Sequence, residues 1–354
     1  MNDKIRLLVV DDSAVARKVV SDIISSADDI EIIGRVRNGR EAVERLTKYR
    51  ADVITMDFEM PEMDGLTAVK KILEQQPIPI VMLSAYTQRG AELTFKALDA
   101  GAVDFIPKPT NADDVKSKEF AETLKTKIRL AYSAKVKLRK TFTQPIYKKP
   151  PIVLPAHTGK PARSLVVIGI STGGPSALKT MLMAIRSDFP AGICIVQHMP
   201  KGFTAAFSER MNEVSALSVK EAADGDPIVS GHVYIAPGQQ QMAVKMKDGM
   251  PYIRVWEGKK VSGHAPSADV LMMSAVRNFT GSLVGIIMTG MGHDGARGIR
   301  ELHANGCYTI AQDEETSVVF GMNRTAIEEG SISKVLPLES IVPAIEQRRE
   351  LLLR

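Results

Sequence analysis

The 354-residue sequence predicts an α/β protein of two units, each built on a parallel sheet. Three observations carry that expectation. Strand-like runs alternate with amphipathic stretches five times in the first 110 residues. The alternation resumes after residue 163 with dense glycine, beyond a basic segment that carries prolines. A chain of this length also exceeds what one hydrophobic core ordinarily organises, so two domains are expected.

In the first half the strand-like runs are Ile5–Val10, Glu31–Val36, Asp52–Asp57, Ile78–Leu83 and Val103–Ile106. Between the first two, Val15, Val19 and Ile23 recur at helical spacing, with Val20 and Ile24 beside them on the same face. A regular (βα)5 order needs crossover connections, and hence a parallel sheet with helices on both sides. A helical stretch from about Asp113 to Tyr132 closes this unit. From Lys135 to Arg163, lysines are interrupted by Pro145, Pro150, Pro151, Pro155 and Pro161 without an apolar period, which reads as an extended linker. The expected division is residues 1–122, a basic linker over 123–162, and a second unit over 163–348.

In the second half three hydrophobic strands each run out on a reactive side chain. Val166–Ile170 leads to Ser171, Ile193–Gln197 leads to His198, and Leu283–Met288 leads through Thr289 and Gly290 to Asp294. Open α/β sheets bind ligands outside the carboxyl ends of their strands, so a serine, a histidine and an aspartate at that edge point to an enzyme. Seven glycines between Gly281 and Gly306 supply close approaches and left-handed turns. Around Tyr234–Ala236 and Met242–Val255 the pattern is that of a small antiparallel ribbon inserted into or appended to the sheet.

Composition narrows the function. With 44% apolar and 25% charged residues the chain is an ordinary globular one. No run approaches the roughly 18 uninterrupted apolar residues of a membrane helix, so no membrane insertion is expected. The opening Met1–Arg6, followed by Leu7–Val10, reads as a strand with a polar lead-in, not a secretory leader. Cys194 and Cys307 lie in apolar contexts without metal-ligand spacing, as reduced thiols of a cytoplasmic protein do. A sequence pI near 9.0 raises the question of nucleic acid. Yet residues 1–110 carry a net −3, residues 111–164 a net +9 and residues 165–354 a net −1. The basicity belongs to the linker, either as a solvated self-repelling segment or as a contact for an acidic partner, and neither unit has a nucleic-acid footprint.

Asp11 and Asp12 follow the first strand and Asp57 ends the third. In a sheet ordered 2-1-3-4-5 these strands are neighbours, so three carboxylates share one rim. Such charges need a counter-ion, and Mg²⁺ suits a partly hydrated oxygen site. Ser84 and Lys108 arrive at the same rim from the fourth and fifth strands. The alternative, helix N-capping by Asp11 and Asp12 ahead of Ser13, leaves the other three residues unexplained. Together Asp11-Asp12-Ser13, Met56–Pro61, Asp64-Gly65, Ser84-Ala85 and Lys108-Pro109 resemble the flavodoxin-like receiver domain of two-component response regulators, over about the first 120 residues. The resemblance implies that Asp57 accepts a phosphoryl group from a histidine kinase. It implies that Asp11, Asp12, Asp57 and the Glu59 carbonyl hold Mg²⁺, and that Ser84, Phe105 and Lys108 form the switch. Phe105 stands where many relatives have tyrosine.

Gly169-Ile170-Ser171-Thr172-Gly173 satisfies the pattern of a sharp strand-to-helix turn that exposes a serine. Pro175 marks a helix start, whose N–H groups face a developing oxyanion. Of the six histidines, His198 follows a strand directly, whereas His157 lies in the linker and His303 in a helical pattern. His293 competes for the base, but it adjoins Asp294, the acid that would orient it. Asp294 could alternatively cap the following helix. The order Ser-His-Asp differs from that of α/β-hydrolases.

The stretches Gly169–Pro175, Gln197–Pro200, Ala236–Gly238, Pro266–Asp269 and Met288–Ala296 instead resemble the catalytic domain of the chemotaxis protein-glutamate methylesterases, the CheB family. That resemblance covers residues 163–348 and implies Ser171 as nucleophile, His198 as base and Asp294 as orienting acid. Thr172 and Met291 fall near the oxyanion. Two departures are Gln241, where the family usually has histidine, and Ala265, where it usually has arginine. The implied function is phosphorylation-activated hydrolysis of glutamyl γ-methyl esters on methyl-accepting chemotaxis receptors. Deamidation of receptor glutamines is implied too, with the chemotaxis kinase as phosphodonor and no cofactor in the esterase site. Two alternatives are a transcription factor, which the −1 balance of the second half disfavours, and a response regulator with a non-catalytic binding domain.

Overall fold

The structure is a computed structural model that describes residues 4–109, 117–141 and 160–348. The chain divides into two compact units, Met1–Pro145 and Ile146–Arg354. In the first, β1 (Ile5–Val10), β2 (Ile30–Val36), β3 (Val53–Asp57), β4 (Ile80–Ser84) and β5 (Asp104–Pro107) pair in parallel in the order β2-β1-β3-β4-β5. β3 and β4 are buried at every position, as strands covered by helices on both faces must be. Polar side chains start the helices. Ser13 caps α1 (Ala14–Ile24), Asp64 caps α4 (Gly65–Gln75) and Thr87 caps α5 (Gln88–Asp99), each accepting a backbone N–H of the first turn. Two short helices, α2 (Gly39–Glu44) and α3 (Leu46–Tyr49), lie between β2 and β3.

The next helix, α6, runs from Lys118 to Thr141 and so passes the expected boundary at 122. Its Leu124, Ile128, Ala131 and Ala134 are buried at helical spacing against the first unit's sheet. The start expected at Asp113 and most of the expected linker lie outside the described residues, His157 among them. Residues 160–163 already belong to the second unit. Ala162 is buried and donates its N–H to the Ile228 carbonyl at 3.0 Å.

The second unit holds a seven-stranded parallel sheet of β6 (Ser164–Ile170), β7 (Gly192–Gln197), β8 (Ser218–Glu221), β9 (His232–Ile235), β12 (Ser282–Ile287), β13 (Tyr308–Gln312) and β14 (Lys334–Leu336). Their order is β14-β13-β12-β6-β7-β9-β8. The antiparallel ribbon is β10 (Gln240–Lys247) with β11 (Met250–Glu257). The grouping of Tyr234–Ala236 with that ribbon is corrected, because β9 pairs in parallel with both β7 and β8. Val233, Tyr234 and Ile235 are all buried, and a run without a polar face suits an inner parallel strand.

Among the described residues six helices complete the unit: α7 (Gly174–Ala184), α8 (Phe203–Val214), α9 (Ala268–Asn278), α10 (Ala296–Ala304), α11 (Met322–Glu328) and α12 (Leu338–Glu346). Leu165, Val196, Met242, Leu271 and Ile287 belong to one core that joins sheet, ribbon and helices. β6 is central: the chain leaves it for β7 on one side and later fills β12 on the other. That reversal is where such a sheet opens a crevice at its carboxyl edge. Among the described residues no helix is long and apolar enough to cross a membrane.

Candidate active site

Ser171, His198 and Asp294 follow β6, β7 and β12, three adjacent strands. The turn at Ser171 is held tightly. Its N–H donates to the Thr289 carbonyl at 2.9 Å, and its carbonyl accepts from Gly174 N–H at 2.8 Å and Gln197 Nε2 at 3.0 Å. Gly173 takes a left-handed φ of +79° that a side chain would strain, and α7 starts from it. Gly290 packs against the serine, so that a Cβ built on it would lie 2.8 Å from Ser171 Cβ. Thr289 ties the two loops together, its hydroxyl donating to the Thr172 carbonyl at 2.9 Å.

His198 Nε2 lies 2.7 Å from Asp294 Oδ2. Its Nδ1 is buried and has no hydrogen-bond partner among the described residues. With Nε2–H donated to the carboxylate, Nδ1 keeps its lone pair and is the nitrogen able to take a proton. Asp294 is fully buried. Its other partners are Ser267 Oγ at 2.6 Å and the N–H groups of Ala268 at 2.7 Å and Asp269 at 3.2 Å, at the start of α9. Burial alone would raise its pKa, but the bonds from His198, Ser267 and Ala268 outweigh it and hold the carboxyl below its ordinary value. The aspartate thus sits as an anion at the N-terminus of a helix other than the one it precedes. His293 is exposed, so the two neighbours do point apart. Thr172 is buried and Met291 is 47% exposed at the rim.

Several residues of this site had no strong sequence signal. Ser267 is legible as the N-cap of α9, yet its hydroxyl also serves Asp294. Gln241 is almost wholly buried. Its Nε2 donates to the carbonyls of Lys259 and His264, and its Oε1 accepts Ser267 N–H, so it brackets the loop between them. The ring of His264 stacks on that of His198. Of the remaining histidines, His303 lies in α10 beside Thr309, and His232 begins β9.

In the first unit one carboxylate oxygen each of Asp11, Asp12 and Asp57 lies within 4.8 Å of the others. Lys108 Nζ lies 2.8 Å from both Asp11 Oδ2 and Asp57 Oδ2. One ammonium meets two of the three carboxylates, which leaves negative charge in excess at this rim. Accordingly Lys108 is raised: burial opposes the shift, and Asp11 and Asp57 outweigh it. Asp57 is also raised, by its burial, with Lys108 only partly countering. That excess charge and all-oxygen donor set fit a hard divalent cation. The Glu59 side chain turns outward to Arg89, leaving its carbonyl as the group of interest. Ser84 is fully buried, and its hydroxyl donates to the Gly90 carbonyl at 3.0 Å and accepts from Thr94 at 2.8 Å. Phe105 is buried, edge-on to Phe95, with Lys127 Nζ 5.4 Å from its ring centre.

Comparison with known proteins gives the same two parts. The CheB methylesterase family matches residues 166–345, and the response regulator receiver domain matches residues 7–118. The chain is 44% identical to a protein-glutamate methylesterase/protein-glutamine glutaminase of Pyrococcus horikoshii, over 99% of this chain and 95% of that protein. It is 45% identical to one of Archaeoglobus fulgidus, over 96% of this chain and 97% of that one. Among solved structures, the CheB methylesterase catalytic domain of Thermotoga maritima aligns with a TM-score of 0.50 at 38% identity. That alignment covers 53% of this chain and 97% of that domain.

Proposed function

The chain belongs to the CheB methylesterase family, and from that premise we propose that it is a phosphorylation-controlled protein-glutamate methylesterase and protein-glutamine glutaminase acting on methyl-accepting chemotaxis receptors. The observation that carries this reading is the His198–Asp294 pair, with one ring nitrogen on a buried carboxylate and the other without a partner among the described residues, just past the strand that pairs with the one leading to Ser171. Ser171 Oγ attacks the γ-ester carbonyl while His198 Nδ1 takes its proton. The Asp294 carboxylate stabilises the imidazolium without itself being protonated. Thr172 and the backbone N–H of Met291 hold the oxyanion, in a position fixed before reaction.

The intermediate collapses to a glutamyl ester on Ser171, and His198 returns its proton to the departing methoxide, which leaves as methanol. Water, deprotonated by His198, then attacks that ester; Ser171 regains the proton and glutamate is released. A receptor glutamine follows the same course with ammonia leaving, because amide and ester share the tetrahedral oxyanion. No cofactor takes part in this reading.

The catalytic domain lies within residues 160–348, and the receiver includes the closing helix that runs past the expected boundary at 122, in a cytoplasmic protein. Asp57 accepts the phosphoryl group from the chemotaxis histidine kinase. Asp11, Asp12, Asp57 and the Glu59 carbonyl would hold Mg²⁺, which when bound offsets the charge of the phosphoryl oxygens. Phosphorylation adds about −1.5 to −2 charge. Lys108 pairs with that charge, Ser84 turns from Gly90 toward a phosphoryl oxygen, and Phe105 repacks with it. The test is methanol release from methylated receptor membranes with and without a phosphodonor. Wild type should accelerate when the donor is added and Asp57→Asn should stay at the basal rate; equal acceleration of both would refute control through Asp57.

A further inference from the structure

His264 has no role in the reaction described, yet its ring lies on the base. The two imidazoles stack with centroids 3.7 Å apart and planes within 2°. At an ordinary carbon contact of about 3.5 Å between planes, the lateral slip is on the order of 1 Å, so the rings overlap almost fully. Two neutral aromatic rings avoid that arrangement, which sets one π-face on another, and prefer to slip further or turn edge to face. A cation over a neutral face is attracted. The stack therefore suits one charged ring and one neutral ring.

His198 is the ring that gains charge in turnover, its far nitrogen held by Asp294. His264 is suited to stay neutral. Burial first, and then His198, lower its pKa to about 4; Asp294 opposes the shift, and Lys260 and His293 add to it. Its backbone is fixed as well. Val261 and His264 exchange two hydrogen bonds of 2.9 Å, and Gln241 Nε2 donates to the His264 carbonyl at 3.1 Å.

Resting on the Ser171–His198–Asp294 reading, we propose that His264 is a positioning residue, a neutral stacking platform that fixes the plane of the His198 ring and favours its imidazolium. It acts through the base and not on the substrate. His264→Leu and His264→Phe separate this from simple filling of space, since leucine occupies the site without a π-face and phenylalanine restores the face without polarity.

The experiment uses the full chain on methylated receptor membranes across pH, with Ser171→Ala alongside. His264→Leu should lower kcat about tenfold, leave KM unchanged and move the acid limb of kcat/KM to lower pH by about one unit. His264→Phe should recover kcat to within about threefold of wild type and return the limb to its place. Titration of the His198 ring by NMR should shift in step with the limb. Should the leucine variant fail to fold, His264→Gln, also without an aromatic face, takes its place with the same expectation. A wild-type rate and limb in the leucine variant, or a phenylalanine variant as slow as the leucine one, would overturn the platform. Methanol release near the wild-type rate from Ser171→Ala would instead overturn the triad on which it rests.

Discussion

Replacing Asp294 by asparagine removes one charge from a buried site and little else. The carboxylate receives His198 and Ala268 on Oδ2, and Ser267 and Asp269 on Oδ1. An amide placed with its nitrogen at Oδ1 keeps both bonds on the histidine side. The Ser267 hydroxyl can rotate to accept, and only the long 3.2 Å bond from Asp269 is lost. The tautomer of His198 therefore survives, and the main loss is the attraction between carboxylate and imidazolium. At 2.7 Å and an effective dielectric of about 20, that attraction is about 6 kcal/mol. Such a loss falls on the transition state and corresponds to roughly 10⁴ in rate.

The assay is methanol release from methylated receptor membranes, which should show kcat reduced by about that factor with KM little changed. Because the folded carboxyl is held below its ordinary value of 3.8, the anion adds stability at neutral pH that is lost as pH falls through the lower, folded value. Asp294→Asn should accordingly melt below wild type at pH 7, with the gap closing toward strongly acid pH. A variant that keeps more than a tenth of the wild-type rate would show that Asp294 is not the counter-charge of the base.

The other expectations concern the competing histidine and the receiver. His198→Gln should fall in the same class as the asparagine variant, while the exposed His293→Gln should keep most of its activity; the reverse ranking, read from the same methanol assay, would move the base to His293. Burial raises Asp57, so its ionised form disfavours the folded receiver above that raised pKa. Asp57→Asn should therefore melt higher than wild type at pH 7, with the advantage shrinking as pH falls and Asp57 takes up a proton; a lower melting temperature at pH 7 would contradict the assignment. Mg²⁺ should raise the wild-type receiver's melting temperature saturably, and Asp12→Ala should weaken that response; an unchanged titration would exclude Asp12 from the site.

Much of this architecture was legible because parallel sheets leave a plain trace. Short apolar runs such as Val166–Ile170 and Leu283–Ile287 suit inner parallel strands, and the residues just past such a strand stand at the sheet's carboxyl edge. Ser171, His198 and Asp294 stand out for that reason. The receiver rim was legible in the same way, through Asp57 at the end of β3 and Lys108 just past β5. Short elements were harder. β9 has four residues beside a genuine ribbon, and its short apolar run is a weak signal for joining the sheet. The surroundings of Ser171, His198 and Asp294 were least legible, because Gln241 and His264 make contacts 18 to 66 positions apart in the chain, which no periodicity encodes.

Every step of the proposed reaction depends on Ser171 as the nucleophile, so the most direct measurement is methanol release by Ser171→Ala beside wild type on methylated receptor membranes. Asp57 phosphorylation and the melting curve serve as controls in both proteins. The variant should release methanol at no more than about 10⁻⁴ of the wild-type rate, with phosphorylation and folding unchanged. Release near the wild-type rate from a folded, phosphorylatable Ser171→Ala would contradict the assignment.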